Sequence, residues 1–591
     1  FTSRTIFLIK EIKMGYQISP GIAVSEVDLT TVSPAVLTTA GAFAGYFNWG
    51  PANKITLIDN EISLSKTFGQ PDSNSAISFF TAANFLSYTG NLNVVRVIGA
   101  SSVNATAGST SILIKNQNDY ISNSSIGATG IYGEWVAKYP GVLGNSIKVS
   151  MADSASYALW AYKGQFQGAP GTSNYAKTVV GNPNANDELH IIVIDVDGKI
   201  SGSAGTVLEK YAYVSKASNA KTDVGETNYY KDVINTKSQY IWWGQHTFSS
   251  VLTSLGTAWG SAVPGATGFK GATGAITNTL TNAVDDNVPS AANIIGATGS
   301  GYQLFVAENA NVNLIISGDG GGDTNASTVV KSLVNNIAEV RKDCIVFFSP
   351  KKADVVNNSG SEAANLVTYA GTTVNANSSY AVMDGNWKYQ YDKYNDVYRW
   401  IPLNGDVAGL CARTDQTNDP WFSPAGYNRG VIKNVTKLAW NPSKAERDTI
   451  YQVGVNPVIS QPGVGTVLFG DKTTLAKPSA FDRINVRRLF ITLEKAISTS
   501  AKFSLFELND SFTRSQFIGL VEPYLRDVKG RRGITDFKIV CDETNNTPQV
   551  IDSNSFVGDI YIKPARSINY IQLNFVAVRT GVEFNEIVGK F

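Results

Sequence analysis

Histidine is almost missing from this sequence. Among 591 residues there are two, His190 and His246. A Ser-His-Asp triad needs a histidine held between serine and carboxylate, and metal hydrolysis needs several converging His, Cys or carboxylate ligands. Neither histidine stands among such a set, and no GxSxG elbow occurs. Cysteine is nearly as scarce: Cys344, Cys411 and Cys541 are far apart and odd in number. They suit buried thiols in a reducing compartment rather than a disulfide framework, and no CxxC pair points to zinc. Charge is thin and balanced, 16% of residues with a net of +1. That leaves no broad electrostatic footprint for nucleic acid or membrane. Long apolar runs are lacking too. The opening FTSRTIFLIKEIKM has only Ile6 to Ile9 between Arg4 and Lys10, too short for a membrane span and without the small-residue cleavage site of a signal peptide.

Core material, by contrast, is ample. A hydrophobic share of 43% over a length beyond what one core serves predicts three or four domains. Lys10-Glu-Ile-Lys-Met14 can be encoded by a purine-rich ribosome-binding sequence ahead of a start codon. Translation is therefore expected to begin at Met14, with residues 1–13 an upstream extension. Residues 15–28 carry a Pro20-Gly21 turn signal and then Ile22, Val24 and Val27, the pattern of an extended arm. Next come a buried strand over 36–48, a helix over 75–88 with Ile77, Phe80, Ala83, Phe85 and Leu86 inward, and an apolar strand over 92–98. That strand–helix–strand order begins an α/β domain.

The stretch 101–301 differs in character, rich in Ser, Thr, Asn, Gly and Ala, with short apolar runs such as 191–196. Gly-Ala-Thr-Gly recurs from Gly127, Gly265, Gly271 and Gly296. Glycine falls at every third residue from Gly265 to Gly274, the collagen spacing, but the run is too short for a triple helix and a flexible surface loop is expected. The Asp285-Asp286 pair reads as solvated. The α/β pattern resumes with a strand at 312–317, a loop at 318–323, a helix at 327–341 with Val330, Leu333, Val334 and Ile337 inward, and a strand at 344–348. This is a βαβ unit with parallel strands. Its glycine loop precedes a helix and so invites phosphate, but it lacks the Walker lysine and ends in Asp323 where GxGxxG needs glycine. Residues 387–400 read as a hairpin with Tyr389, Tyr391, Tyr394 and Tyr398, either a stacking face for bases or sugars or core and protein interface.

At the C-terminal end, Val486, Leu489, Phe490, Leu493, Ala496 and Ile497 lie on one helical face. A second helix is expected over 510–528, bent or restarted at Pro523. Period-two strands follow at 537–541 and 558–562, ended by Pro564, with an Asn545-Asn546 turn between them. The stretch 568–578 alternates again, with Ile571, Leu573, Phe575 and Ala577 on one face. Two helices and so few strands make a poor closed sheet, so the last strand is expected to belong to another chain. Arg487-Arg488 and Arg531-Arg532 read either as nucleic-acid contacts or as solvated faces and salt-bridge partners.

Several of these strings also carry a family resemblance. WFSPAGYNRG (421–430), GDK (470–472), FDRINVRRLFITLE (481–494), FELNDSFTR (506–514), CDETNN (541–546) and the closing strand resemble, in this order, the tail sheath protein of contractile-tailed bacteriophages. The likeness covers 15–100 and 312–591, and KYPGVLGNSI (138–147) is similar to sheath sequence at an insertion junction.

The resemblance implies a mixed, multidomain α/β fold. Its parts would be a three-layer core with subtilisin-like topology from 31–100 and 301–480, β-rich outer domains inserted at 101–300, and an α+β domain at 481–565. Arms at 14–30 and 566–591 would add strands to neighbouring subunits through Ile18, Ile22, Val24, Val27, Ile571, Leu573 and Phe575. It implies a helical polymer of stacked hexameric rings around an inner tube, without cofactor or enzymatic activity. Tube, baseplate and tail terminator proteins would be its partners, with no direct nucleic-acid contact and no membrane insertion, in a virion tail assembled in the host bacterial cytoplasm. The C-terminal domain of the family faces the tube, which makes helices 484–501 and 510–528 and the turn with Lys529, Arg531 and Arg532 the candidate tube contact. Pairing of that turn with Asp527 and Asp536 inside one subunit is the alternative. The competing functions are the sheath of a phage-derived injection particle, a subtilisin-like hydrolase, and a carbohydrate-binding surface protein.

Overall fold

A computed structural model describes residues 38–128, 130–248, 257–263, 265, 267–286, 290–307 and 310–572. Its centre is a seven-stranded sheet. In spatial order the strands are Val455–Asn456, Ala381–Asp384, Ile345–Phe348, Leu314–Ile316, Gly41–Tyr46, Leu92–Val97 and Thr56–Ile58. All neighbours are parallel except the last pair. Parallel strands buried on both faces read as continuous apolar runs, and GAFAGY and IVFF are buried at every position. Gly41 stands opposite Leu314, so the chain leaves the sheet after Leu92–Val97 and returns beside the strand on which it began.

Helices cover both faces. On one, the strand's own glycines set the spacing: a Cβ on Gly41 would sit 2.6 Å from the Phe85 ring, and one on Gly45 2.8 Å from the Ser78 hydroxyl. Helix Ala76–Leu86 therefore lies close on the sheet. Its other side meets helix Asn404–Thr417, where a Cβ on Gly405 would stand 2.5 Å from the Thr81 carbonyl oxygen. Held between the two, Ala76–Leu86 is buried all round except at Ile77. The one-sided face expected from sequence is thus corrected, since a helix apolar on every side belongs inside. On the opposite face, the Tyr302 hydroxyl donates to the Ile316 carbonyl, and the helical run 326–341 buries Val330, Leu333, Val334 and Ile337 as expected.

The inserted stretch builds its own core. Thr206–Ser215, Glu188–Asp195, Ile147–Asp153 and Ile276–Thr279 form an antiparallel four-stranded sheet, and Trp135–Ala137 pairs with Ile241–Trp243. The glycine run near residue 270 is packed rather than free: Phe269 and Ala272 are buried, and the Ala272 amide donates to Asp153 at 2.9 Å. Asp285 and Asp286 are half-buried, each with a backbone partner. Asp285 accepts from the Val142 amide at 3.1 Å and Asp286 from the Ser101 amide at 3.0 Å. Asp285 faces Arg96, a buried guanidinium that donates to the carbonyls of Phe47, Gly50 and Pro140 at 2.8–2.9 Å. Burial lowers the Arg96 pKa to about 10, so it stays charged and ties sheet to insertion.

Candidate functional site in the C-terminal region

Helix Ile484–Ala501 packs against the α/β core through two adjacent arginines. The Arg488 guanidinium grips Asp415 with two hydrogen bonds of 2.5 Å, and both side chains are buried. Asp415 lies on helix Asn404–Thr417, so the fork joins the two regions. Arg487 lies over the rings of Phe481 and Tyr380, 4.0 and 4.2 Å from their centroids, a desolvated cation–π arrangement. Neither arginine is a solvated face.

The second helix, Ser511–Gly530, starts where Asp510 accepts from the Thr513 amide at 2.8 Å. It runs as one helix through Pro523, which corrects the expected restart. Trp421, Leu489, Leu493, Phe517, Val521, Leu525, Val528 and Ile534 form a separate core beneath it. Strands Ile534–Val540 and Asp559–Pro564 pair antiparallel and lay Phe537, Ile539, Ile560 and Ile562 on that core, while Lys538, Tyr561 and Lys563 face solvent. Neither strand has a second neighbour among the described residues. Two outer edges therefore present unpaired backbone donors and acceptors, the template onto which another strand adds.

Between the two helices and into the start of the second runs a group of apolar side chains left uncovered by the described residues. Phe503, Leu505, Phe506, Leu508 and Phe512 are exposed, and Phe506 is fully so, at φ +71°. A bulky residue in left-handed backbone with its ring in water is unusual on both counts. Exposed contiguous apolar groups of this kind mark association surfaces.

The candidate residues divide as follows. Ile18, Ile22, Val24, Val27, Leu573 and Phe575 lie outside the described residues, as do residues 1–13. Ile571 is described: it is exposed and not in a strand. In the basic turn, Lys529 meets Asp536 at 3.2 Å, and Arg531 reaches Asp527 at 3.4 Å and also Asp419. Arg532, at φ +67°, is exposed and has no ion-pair partner among the described residues.

Both histidines are engaged inside the insertion. His190 is buried, stacked on Phe166 at 4.3 Å; Nε2 donates to the Gly168 carbonyl at 2.9 Å while Nδ1 accepts from the Tyr213 amide at 3.0 Å. His246 touches the hydroxyls of Tyr230 and Tyr229 at 2.7 and 3.2 Å. Burial, with Lys231 nearby, pushes its pKa down to about 4. At the carboxyl ends of the parallel strands, where α/β sheets usually bind ligands, there is instead a closed polar knot. Ser349 lies 2.6 Å from Asp384, and Asn404 reaches both Ser349 and the Gly318 carbonyl. Burial pushes Asp384 up to about 8. The glycine loop is closed off in the same way, since Asp323 accepts from the Lys352 and Ala353 amides. Sequence reasoning missed Asp415 as a partner, because it pairs across a long stretch of chain with an arginine on another element.

Two family descriptions match this chain: "Phage tail sheath protein central domain" at residues 295–474 and "Phage tail sheath C-terminal domain" at 476–577. The tail sheath protein of Vibrio phage KVP40 is 35% identical, covering 97% of this chain and 100% of that protein. That of Enterobacteria phage T4 is also 35% identical, over 97% and 99%. Among solved structures, a sheath tail protein from Listeria innocua is 13% identical, covers 90% of this chain and 96% of its own, and has a TM-score of 0.49. The helical sheath of the anti-feeding prophage in its contracted state is 16% identical over 45% and 70%, with a TM-score of 0.37.

The fold is thus that of a multidomain structural subunit, with self-contained sheets at the centre and open strand edges at one end. The chain belongs to the phage tail sheath protein family.

Proposed function

We propose that this protein is the repeating subunit of a contractile sheath that stacks as hexameric rings around an inner tube and drives that tube through a host envelope. The observation that carries this is the match at 35% identity along nearly the whole of two tail sheath proteins. The open-edged hairpin supports it from the structural side. Each donated strand adds main-chain hydrogen bonds of about 0.5–1.5 kcal/mol net apiece. Arms at 14–30 and 566–591, with Ile18, Ile22, Val24, Val27, Ile571, Leu573 and Phe575, supply those strands. The rest divides into an α/β core from 31–100 and 301–480, insertions at 101–300 on the outside, and a C-terminal domain at 481–565 facing the tube.

The subunit works as a polymer rather than an enzyme: the contraction energy lies in interfaces that re-form in a lower state. Its partners are further copies of itself, the tube protein, and the baseplate and terminator proteins, in a virion tail assembled in the host cytoplasm. It makes no direct nucleic-acid contact and does not insert into a membrane. Among the described residues no helix is long and apolar enough to cross one. Lys529, Arg531 and Arg532 form the tube contact. The Lys529–Asp536 and Arg531–Asp527 pairs are exposed and break at a cost of about 0–1 kcal/mol; Arg531 is also held by the buried Asp419, so Lys529 and Arg532 are the more available side chains of the turn. Sheath of an injection particle is the same reading in another setting. Negative-stain electron microscopy of the expressed chain is the test: tubes or rings are expected, and a protein that stays a compact monomer at every concentration contradicts it.

A further inference from the structure

Asp471 gathers three distant parts of the chain on one carboxylate. It follows strand Gly465–Leu468 and is nearly fully buried. Its Oδ1 accepts from the Arg483 guanidinium at 3.2 Å and from the Asn569 amide at 2.9 Å; its Oδ2 accepts from the hydroxyls of Ser423 and Ser567, each at 2.9 Å. Four donors fill the acceptor sites of an ionised carboxylate. Two of them come from the body of the protein, and two from the segment just past strand Asp559–Pro564. That segment alternates: Ser567 and Asn569 turn to the carboxylate, while Ile568 and Tyr570 are exposed to solvent at 82% each.

We propose that Asp471 anchors the root of the C-terminal arm on its own subunit and so fixes where and in which direction the arm departs. This rests on reading 566–591 as a donated arm. Asp471 is a positioning residue, acting through Ser567 and Asn569. A strand lent to a neighbour holds register and carries load only if its root is held, and hydrogen bonds to a buried carboxylate hold far better than exposed pairs. Among the described residues the root lies in no strand, and these side-chain bonds help fasten it.

The test is Ser567→Ala/Asn569→Ala in the full chain, which leaves Ser423 and Arg483 on Asp471. Arg566, exposed and directly before the root, offers a tryptic site. In unpolymerised protein, cleavage after Arg566 is expected to speed up at least about tenfold, and the concentration needed for polymerisation to rise by a similar factor. The main thermal transition should stay within about 2 °C. Ser567→Thr, which keeps the hydroxyl, should behave as the parent. Unchanged cleavage overturns the proposal, and so does faster cleavage with normal polymerisation. A chain ending at residue 569 tests the arm separately. If it polymerises normally, the arm reading itself falls; if it fails while the double variant is normal, only the anchor falls.

Discussion

The central sheet and the C-terminal hairpin are built by the same chain to opposite standards of completeness. In the centre, Gly41–Tyr46 has a neighbour on each side and helices on each face, and its side chains are buried throughout. In the hairpin, each strand has one neighbour among the described residues and one face is wet, and Phe506, between the two C-terminal helices, is fully exposed. The first region finishes itself. The second has a core large enough to hold two strands in place but leaves both edges open. On the proposed reading stability is thereby separated from assembly: the centre folds within one subunit, and neighbours would complete the periphery.

That separation is tested most severely by removing the arms. Deleting residues 15–28 or 568–578 is expected to abolish polymerisation while leaving the main thermal transition of the purified chain in place. Normal polymers from either deletion would merge the two regions again. Next in size is the joint between them. Arg488→Ala leaves Asp415 buried without its cation, and breaking such a pair costs about 3–5 kcal/mol, to be read from denaturant unfolding. A loss under about 1 kcal/mol would mean that the regions do not depend on this fork.

A smaller effect is expected inside the centre. Burial lifts Asp384 to about 8 from an ordinary value near 3.8. A carboxyl raised in this way stabilises the fold fully below its unfolded pKa, and the contribution is lost as pH rises through the folded value. Stability should therefore fall between about pH 4 and 8. Asp384→Asn removes the titrating group and should flatten that slope, gaining about 1–3 kcal/mol over the parent at pH 8. Parallel pH profiles for the two proteins would rule this out.

The centre was largely legible in the sequence, and the joints were not. Period 3.6 in INVRRLFITLE marked the helix that the structure places at Ile484–Ala501, and alternation at Phe537, Lys538 and Ile539 marked the hairpin strand. Both signals are local. Arg488 and Asp415 are 73 positions apart, and Asp285 and Asp286 accept from the distant Val142 and Ser101 amides, so nothing in any one neighbourhood shows that these charges have partners. Asp285-Asp286 read as solvated for that reason. Phe503, Leu505 and Phe506 illustrate the converse: an apolar run looks like core material in any sequence, and only the fold shows it left outside. Ile77 is half-buried against the core while the rest of its helix is buried on every side, so periodicity had little contrast between faces to report.

The smallest predicted change is electrostatic. Reversing Lys529, Arg531 and Arg532 to glutamate should weaken co-assembly of sheath on tube, most visibly at low salt, since exposed charges are screened over about 10 Å at 0.1 M. Co-assembly with the parent's salt dependence would leave the turn to its in-chain partners Asp527, Asp419 and Asp536.

The claim that one region is finished by other subunits is measured most directly by amide hydrogen exchange on free and polymerised protein. Strand Ile345–Phe348 should exchange equally slowly in both states. The outward-facing amides of Ile534–Val540 and Asp559–Pro564 should exchange fast in the free chain and be slowed at least about a hundredfold in the polymer, as new strand pairing closes their edges. Equal exchange of the hairpin in the two states would contradict the account.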